Sequence, residues 1–503
     1  MAANTVKPAD NTGRVLQSLA WHIIPPCVYF LFLLRWYPYW NSYWIYSDEG
    51  FNLMKALLVN RGYTLYSQIW SDQPPLFTHL LALLYRINGP GVYASRLLVL
   101  LFSCLMVWAV VQFLRLAWGD LAALAGAILL ILLPIFISLS AAVQVGQPSL
   151  AMAAVSLLSL AAWHRRRGRI YLILSALALG VSLLIKLFTA FLVPIFLAGL
   201  LGSEIILSGK GGKWLNKISP ALTWLLVFLG FTLIGGLILA GPGSLAQLVG
   251  TPWAASQATE YPPNQQLYPI TYYLRDAWAI LLLAMVGTLF LFRERRWLML
   301  YPLAWMVVAF ISLLNLKPVW FHHQLLVTLP AAMLAAGAAG ETCRLTASAL
   351  RHRSEAGQWW IWLAGGLVAI ILVLISRTPD VINTLQAQST PTEERNAFED
   401  KVLRKIEQYT SETNWMVTDL PMFAFRVGKL VPPNLAVISW KRFAAGDLSE
   451  NDIVDTVEEY QPEQILLGRF EFPALEPYLQ EHYYLILERR DELKLYVRKD
   501  LMK

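Results

Sequence analysis

The chain has 503 residues, of which 57% are apolar and only 15% charged, and its mean hydropathy is +0.50. Soluble domains carry about one-quarter charged residues, so a water-soluble protein is excluded and lipid is the expected solvent. The net charge of +7 divides unevenly: 24 Lys and Arg face 11 Asp and Glu over residues 1–376, and 16 face 22 over residues 377–503. This basic excess sits between apolar runs, where membrane topology puts it, and does not form a nucleic-acid surface.

Met1 to Gln17 is polar, and the apolar run that follows is too long and too aromatic for a cleaved signal peptide, so it reads as a retained first span. Runs long enough to cross a hydrocarbon core of about 30 Å then recur, giving about eleven expected spans. They lie near 17–39, 93–114, 121–140, 148–163, 170–185, 188–206, 219–240, 271–292, 298–314, 324–343 and 358–376. Alternate connections hold the cations: Arg115; Arg165, Arg166, Arg167 and Arg169; Lys210, Lys213 and Lys217; Arg293, Arg295 and Arg296; Arg344, Arg351 and Arg353. The positive-inside rule assigns these to the cytoplasm. The loop from Trp40 to Val92, the loop from Gly241 to Ile270 and everything after Arg377 are then expected outside.

The organisation expected is thus an α-helical polytopic membrane domain over residues 1–376 and a C-terminal extracytoplasmic α/β domain over 377–503. The second is read from a helix near Thr392–Tyr409, a strand Trp415–Thr418, a helix near Ser449–Tyr460, a strand Gln464–Leu467 and a closing pair near Tyr484–Leu487 and Leu493–Val497. Cys27, Cys104 and Cys343 match no metal or disulfide spacing. The sequence has no phosphate-cradling Gly-rich loop, and an enzyme facing outward has no cytoplasmic nucleotide-sugar at hand. Its donor is expected to arrive on a lipid.

Five acids of the membrane portion fall on the outer side in this topology: Asp48, Glu49, Asp72, Glu260 and Asp276. Three of them stand in the first loop, which reads Tyr46-Ser47-Asp48-Glu49-Gly50, then an amphipathic helix to Asn60, Arg61-Gly62-Tyr63-Thr64-Leu65-Tyr66, and Asp72-Gln73-Pro74-Pro75-Leu76. That helix is too short to span and is expected at the interface.

An acidic pair after the first span, a helix ending in Arg-Gly-Tyr-x-x-Tyr, a Gln-Pro-Pro-Leu turn and Arg96 at the head of the next span resemble the first exterior loop of the GT-C glycosyltransferases. The nearest patterns are bacterial homologues of protein O-mannosyltransferases and of the lipid A aminoarabinose transferase. The resemblance implies a GT-C fold and transfer of a sugar from a polyprenyl-phosphate donor, with inversion, to a glycan, glycolipid or protein acceptor at the outer face of the cell membrane. It maps the general base onto Asp48; the competing reading is that Asp48 caps its helix, since Asp is a favoured N-cap. Glu49 would orient Asp48, raise its pKa or help hold a divalent metal ion, or is simply a solvated charge. Asp72 and Gln73 stand where relatives place a charge before the Pro pair, and a turn-forming role competes.

Lys186 matches a Lys that contacts donor phosphate in relatives; the alternative is snorkelling. His322 and His323 resemble the aromatic-His start of a late span, with one His facing phosphate and the other packed; two purely structural residues are the competing reading. Arg96, Arg275 and Lys317 complete the candidate binding cations, with interfacial anchoring the competing reading for Arg275 and Lys317. Gln147 stands where many relatives have an acid; it could bind a sugar hydroxyl but supplies no base or strong metal ligand. A lipid-linked-sugar transporter or flippase is the alternative from another class, although paired repeats and broken midplane helices are missing from the sequence. A noncatalytic lipid-binding scaffold is a third.

Overall fold

A computed structural model describes residues 11–37, 39–208, 214–241, 244, 246–257, 267–315, 319–351, 359–386, 392–409, 415–489 and 493–502. Each expected apolar run falls on helix, from Asn11–Trp36 at the start to Trp359–Gln386 at the end. Among the described residues, eight helices are long and apolar enough to cross a membrane. The other three expected spans depart for separate reasons. Pro134 splits the 121–140 run into Asp120–Ile131 and Pro134–Leu139, because it brings no N–H to continue the ladder. Arg169–Ile185 has 17 residues. Gly146–Arg166 is long enough but is rich in Ser and Ala and almost wholly buried among its neighbours, so it packs against protein and not lipid.

Small residues hold the bundle tight. The helix Leu325–Arg351 runs through its middle, and a Cβ at Gly287 would lie 2.0 Å from the Leu334 carbonyl oxygen, while one at Gly340 would lie 2.6 Å from the Ala122 nitrogen. Backbone approach of this kind replaces the hydrophobic drive that lipid cannot supply. Trp118, Arg167, Glu204, Glu294, Glu341 and Arg344 interact at one end of the bundle, through the ion pairs Arg167–Glu204, Arg344–Glu294 and Arg344–Glu341 and the Trp118–Glu341 hydrogen bond.

The C-terminal strands lie where expected: β1 (Met416–Thr418), β2 (Gln464–Leu467), β3 (Tyr483–Arg489) and β4 (Leu493–Arg498). They form one sheet in the order β1-β2-β4-β3, with β1 parallel to β2 in the register Val417↔Ile465 and the other pairs antiparallel. The preceding helix continues to Gln386, ten residues beyond the expected end of the last span at 376.

This sheet domain and the first loop share one hydrophobic core: Leu53, Leu57, Phe77 and Leu81 belong to the same buried cluster as Phe423, Leu435 and Ile465. Gly50 makes the docking possible, since a Cβ there would lie 2.6 Å from the Met422 nitrogen. Arg426 donates to the Ser42 and Tyr43 carbonyls at 3.2 and 2.6 Å, and the Tyr43 and Phe423 rings lie 4.7 Å apart.

Candidate active site

The Asp48–Asn60 helix starts at the tip of the first loop. Ser47 holds its N-cap position and no side chain closes the cap, so Asp48 does not cap the helix. Asp48 is instead the first helical residue, and Asn52 and Lys55 follow it at i+4 and i+7 on the same face. All three line a cavity of about 210 Å³. Asp72 and Gln73 from the end of the loop, Lys186, Trp320, His322 and His323 from helix ends, and Lys441 and Arg469 from the sheet domain complete it.

Glu49 points the other way, as the roughly 100° step between helical neighbours requires. Its buried carboxylate accepts from Arg96 Nε at 3.1 Å and Arg96 Nη2 at 2.8 Å, and from the amides of Ile45 and Val143 at 2.6 and 3.1 Å. Arg96 spends its remaining donors on the carbonyls of Tyr39, Trp40 and Ser42. Neither residue lines the cavity, so the expected catalytic or metal-binding part for Glu49 and the substrate-binding part for Arg96 are replaced by a buried tie between the loop and the bundle. Gln147 is fully buried and donates to the Phe136 carbonyl at 3.3 Å, away from the cavity. Arg275 is exposed and is no part of the lining either. Lys317 and Glu260 lie outside the described residues, and Asp276 is engaged by Arg377 at 3.1 Å and by Gln324 at 2.7 Å.

Six charged groups face the cavity: Asp48 and Asp72 against Lys55, Lys186, Lys441 and Arg469. Asp72 is held by Lys441 at 2.9 Å and by the Gln73 amide at 3.1 Å. Burial by itself would raise its pKa, but Lys441, Lys55 and Gln73 outweigh that and pull it to about 2. Asp48 has no hydrogen bond or ion pair among the described residues. Burial raises its pKa from 3.8, against the pull of Lys186. Asp72 is therefore a poor proton acceptor and Asp48 a better one.

Lys186 follows the Arg169–Ile185 helix in an extended conformation that ends it, before the short Leu187–Thr189 turn. Its ammonium lies 3.1 Å from His322 Nε2 and 4.7 Å from the centre of the Phe188 ring. Burial lowers its pKa to about 8, with Asp48 acting in the opposite sense. An ammonium donating to Nε2 requires the His322 proton on Nδ1, which meets the Tyr46 hydroxyl at 3.0 Å. His323 also lines the cavity, yet its Nδ1 accepts from the Trp320 amide at 3.2 Å. A hydrogen-bonded row Lys186–His322–Tyr46 thus runs along one wall. No group of three or more His, Cys, Asp or Glu gathers among the described residues. With Glu49 committed to Arg96, Asp72 to Lys441 and cations in excess, the cavity formed by the described residues does not fit a divalent ion and fits an anion.

Sequence reasoning missed Lys55, Lys441 and Arg469. A lysine seven residues after Asp48 on the apolar face of a short helix is a readable signal for the first. Lys441 and Arg469 lie far down the chain in the sheet domain, and only docking brings them in.

The profile of the family described as dolichyl-phosphate-mannose-protein mannosyltransferase matches residues 72–234. No curated protein matches the sequence. Among solved structures, ArnT from Cupriavidus metallidurans bound to undecaprenyl phosphate is 16% identical, with a TM-score of 0.59 over 98% of this chain and 99% of that one. The apo state of ArnT gives the same identity and score over 96% and 98%. The apo oligosaccharyltransferase of Archaeoglobus fulgidus is 13% identical, with a TM-score of 0.53 over 89% and 69%. The fold is the GT-C fold, as the first loop led one to expect. The family match covers residues 72–234 only, and the fold is shared along nearly the whole chain with ArnT.

Proposed function

From this GT-C fold we propose that the chain transfers a sugar, with inversion, from a polyprenyl-phosphate donor to a hydroxyl-bearing acceptor at the extracytoplasmic face, with Asp48 as general base. The observation that carries the reading is the Asp48 carboxylate, unpaired among the described residues, set among Lys55, Lys186, Lys441 and Arg469. Such a site suits a reaction in which a hydroxyl loses a proton while negative charge grows on a departing phosphate. The acceptor oxygen forms its bond to the anomeric carbon as the bond from that carbon to phosphate oxygen breaks. The acceptor proton passes to Asp48, and the electron pair leaves with the polyprenyl phosphate. Lys186, steadied by His322, faces the leaving group.

Two further observations support this reading. The related ArnT structure holds undecaprenyl phosphate. Arg165 donates to the Leu116 carbonyl, and Trp118, two residues on, donates to Glu341, the partner of Arg344, so these Arg-rich connections share one bundle end, while the cavity is built from other helix ends and the sheet domain. By the positive-inside rule the cavity then faces outward.

The test is Asp48→Asn in purified protein given polyprenyl-phosphate sugar. Asn keeps the shape and removes the proton acceptor, so turnover is expected to fall about 10²- to 10⁴-fold with donor affinity kept. A well-folded variant with near-parental turnover would remove Asp48 from the role.

A further inference from the structure

A second cavity, of about 400 Å³, opens beside the first, and the two share Ser47 and Arg469. Its walls come from both parts of the molecule: Trp44 from the first loop, Phe398 and Glu399 from the helix Thr392–Gln408, Phe423 from the helix Pro421–Arg426 and Arg489 from the end of β3. Trp44 is 38% exposed and meets the Tyr43 and Phe423 rings in T-shaped contacts at 5.2 and 6.1 Å. The Arg489 guanidinium lies over Phe398 at 4.2 Å. One carboxylate oxygen of Glu399 is buried without a hydrogen-bond partner among the described residues.

Asp419 lines the same cavity but is not available to a ligand. Its two oxygens accept from the amides of Gly468, Arg469 and Phe470 at 2.9, 2.6 and 2.9 Å. This clamp joins the ends of the parallel strands β1 and β2 and fixes the turn that carries Arg469. The Arg469 side chain then lies over Phe51 at 5.1 Å, on the boundary between the cavities.

We infer that the second cavity is the acceptor subsite and that the acceptor it takes is a glycan; the inference rests on the transfer reaction proposed above. Aromatic rings offer surfaces to the C–H faces of sugar rings, an unpartnered carboxylate accepts from hydroxyls, and guanidinium groups donate to hydroxyl and ring oxygens. A lipid tail would be poorly served by two arginines and a glutamate. A Ser or Thr side chain would leave most of about 400 Å³ unfilled. A glycan seated here reaches Asp48 past Ser47 and Arg469, which line both cavities.

The experiment supplies full-length protein in detergent with the labelled polyprenyl-phosphate-sugar pool of its own cells and, separately, with the glycan and the protein fractions of the same envelope. Label is expected in the glycan fraction. Trp44→Ala and Arg489→Ala, both at exposed positions, should each raise the acceptor KM about tenfold or more, as the loss of a stacking or charged contact does, while kcat and the donor KM stay near parental values. Label in the protein fraction alone, or an unchanged acceptor KM in both variants, would overturn the acceptor assignment while leaving the transferase intact. No label in either fraction, with Asp48→Asn indistinguishable from the parent, would overturn the transfer reaction and the subsite with it.

Discussion

Glu49→Gln tests whether Glu49 is a structural acid, distinct from Asp48, the proposed base, in the first loop. The two carboxylate oxygens of Glu49 accept four hydrogen bonds, two from Arg96 and one each from the Ile45 and Val143 amides. An amide keeps one acceptor oxygen, so at least two of the four donors face an NH2 group, and the Arg96 guanidinium, 1% exposed, loses its counter-charge. Removing one partner of a buried ion pair costs about 3–5 kcal/mol, a large share of the roughly 5–15 kcal/mol that holds a protein folded. Thermal unfolding in detergent, followed by tryptophan fluorescence, should show a clear fall in Tm for Glu49→Gln and none for Asp48→Asn. The double change Glu49→Leu with Arg96→Leu should recover part of the loss, because it leaves no unpaired charge. A Glu49→Gln protein that melts with the parent yet has lost turnover would refute the structural assignment.

Three more outcomes follow from the same geometry. Lys186→Met should weaken binding of polyprenyl-phosphate donor, measured by ligand titration in detergent, and unchanged affinity would return Lys186 to snorkelling. The pH profile of kcat/KM should be bell-shaped. In the proposed reaction Asp48 acts deprotonated, so activity should climb through a midpoint above the ordinary 3.8, and Lys186 would bind phosphate as an ammonium, so activity should fall as pH rises through about 8. Abolition of the alkaline fall in Lys186→Met would link that limb to Lys186. Gly50→Ala places a methyl against the Met422 backbone, so limited proteolysis should cut the sheet domain faster than in the parent, and equal rates would show that the interface absorbs the methyl.

The helices were legible because lipid imposes length and apolarity on any segment that meets it. Gly146–Arg166 shows the limit: a helix surrounded by protein is released from that requirement, and composition says less about it. In the first loop the acidic pair was visible, but not which member faces the cavity, since adjacent helical residues look alike in sequence and point apart in space. Arg96 seemed a cation at a span head because nothing near it in sequence discloses that Glu49 and three carbonyls await it. Gln147 stood at a suggestive position, yet the turn before its helix directs it into the bundle. The tail strands are readable as short apolar runs between turns; that the Met422 backbone packs against Gly50 and that the domain brings Lys441 and Arg469 beside Asp48 is long-range information that no local pattern holds.

The order of synthesis acquires a meaning from that docking. A ribosome makes Asp48 early and Arg469 more than four hundred residues later, and the turn carrying Arg469 is clamped by Asp419 across strands that pair only near the end of the chain. A nascent or truncated chain can insert its helices and display a reactive carboxylate, but it lacks half the cations that would hold an anionic donor. On the proposed transfer reaction the site is complete only once the sheet domain has folded and docked, so a chain without it would meet an anionic donor with Lys55 and Lys186 alone.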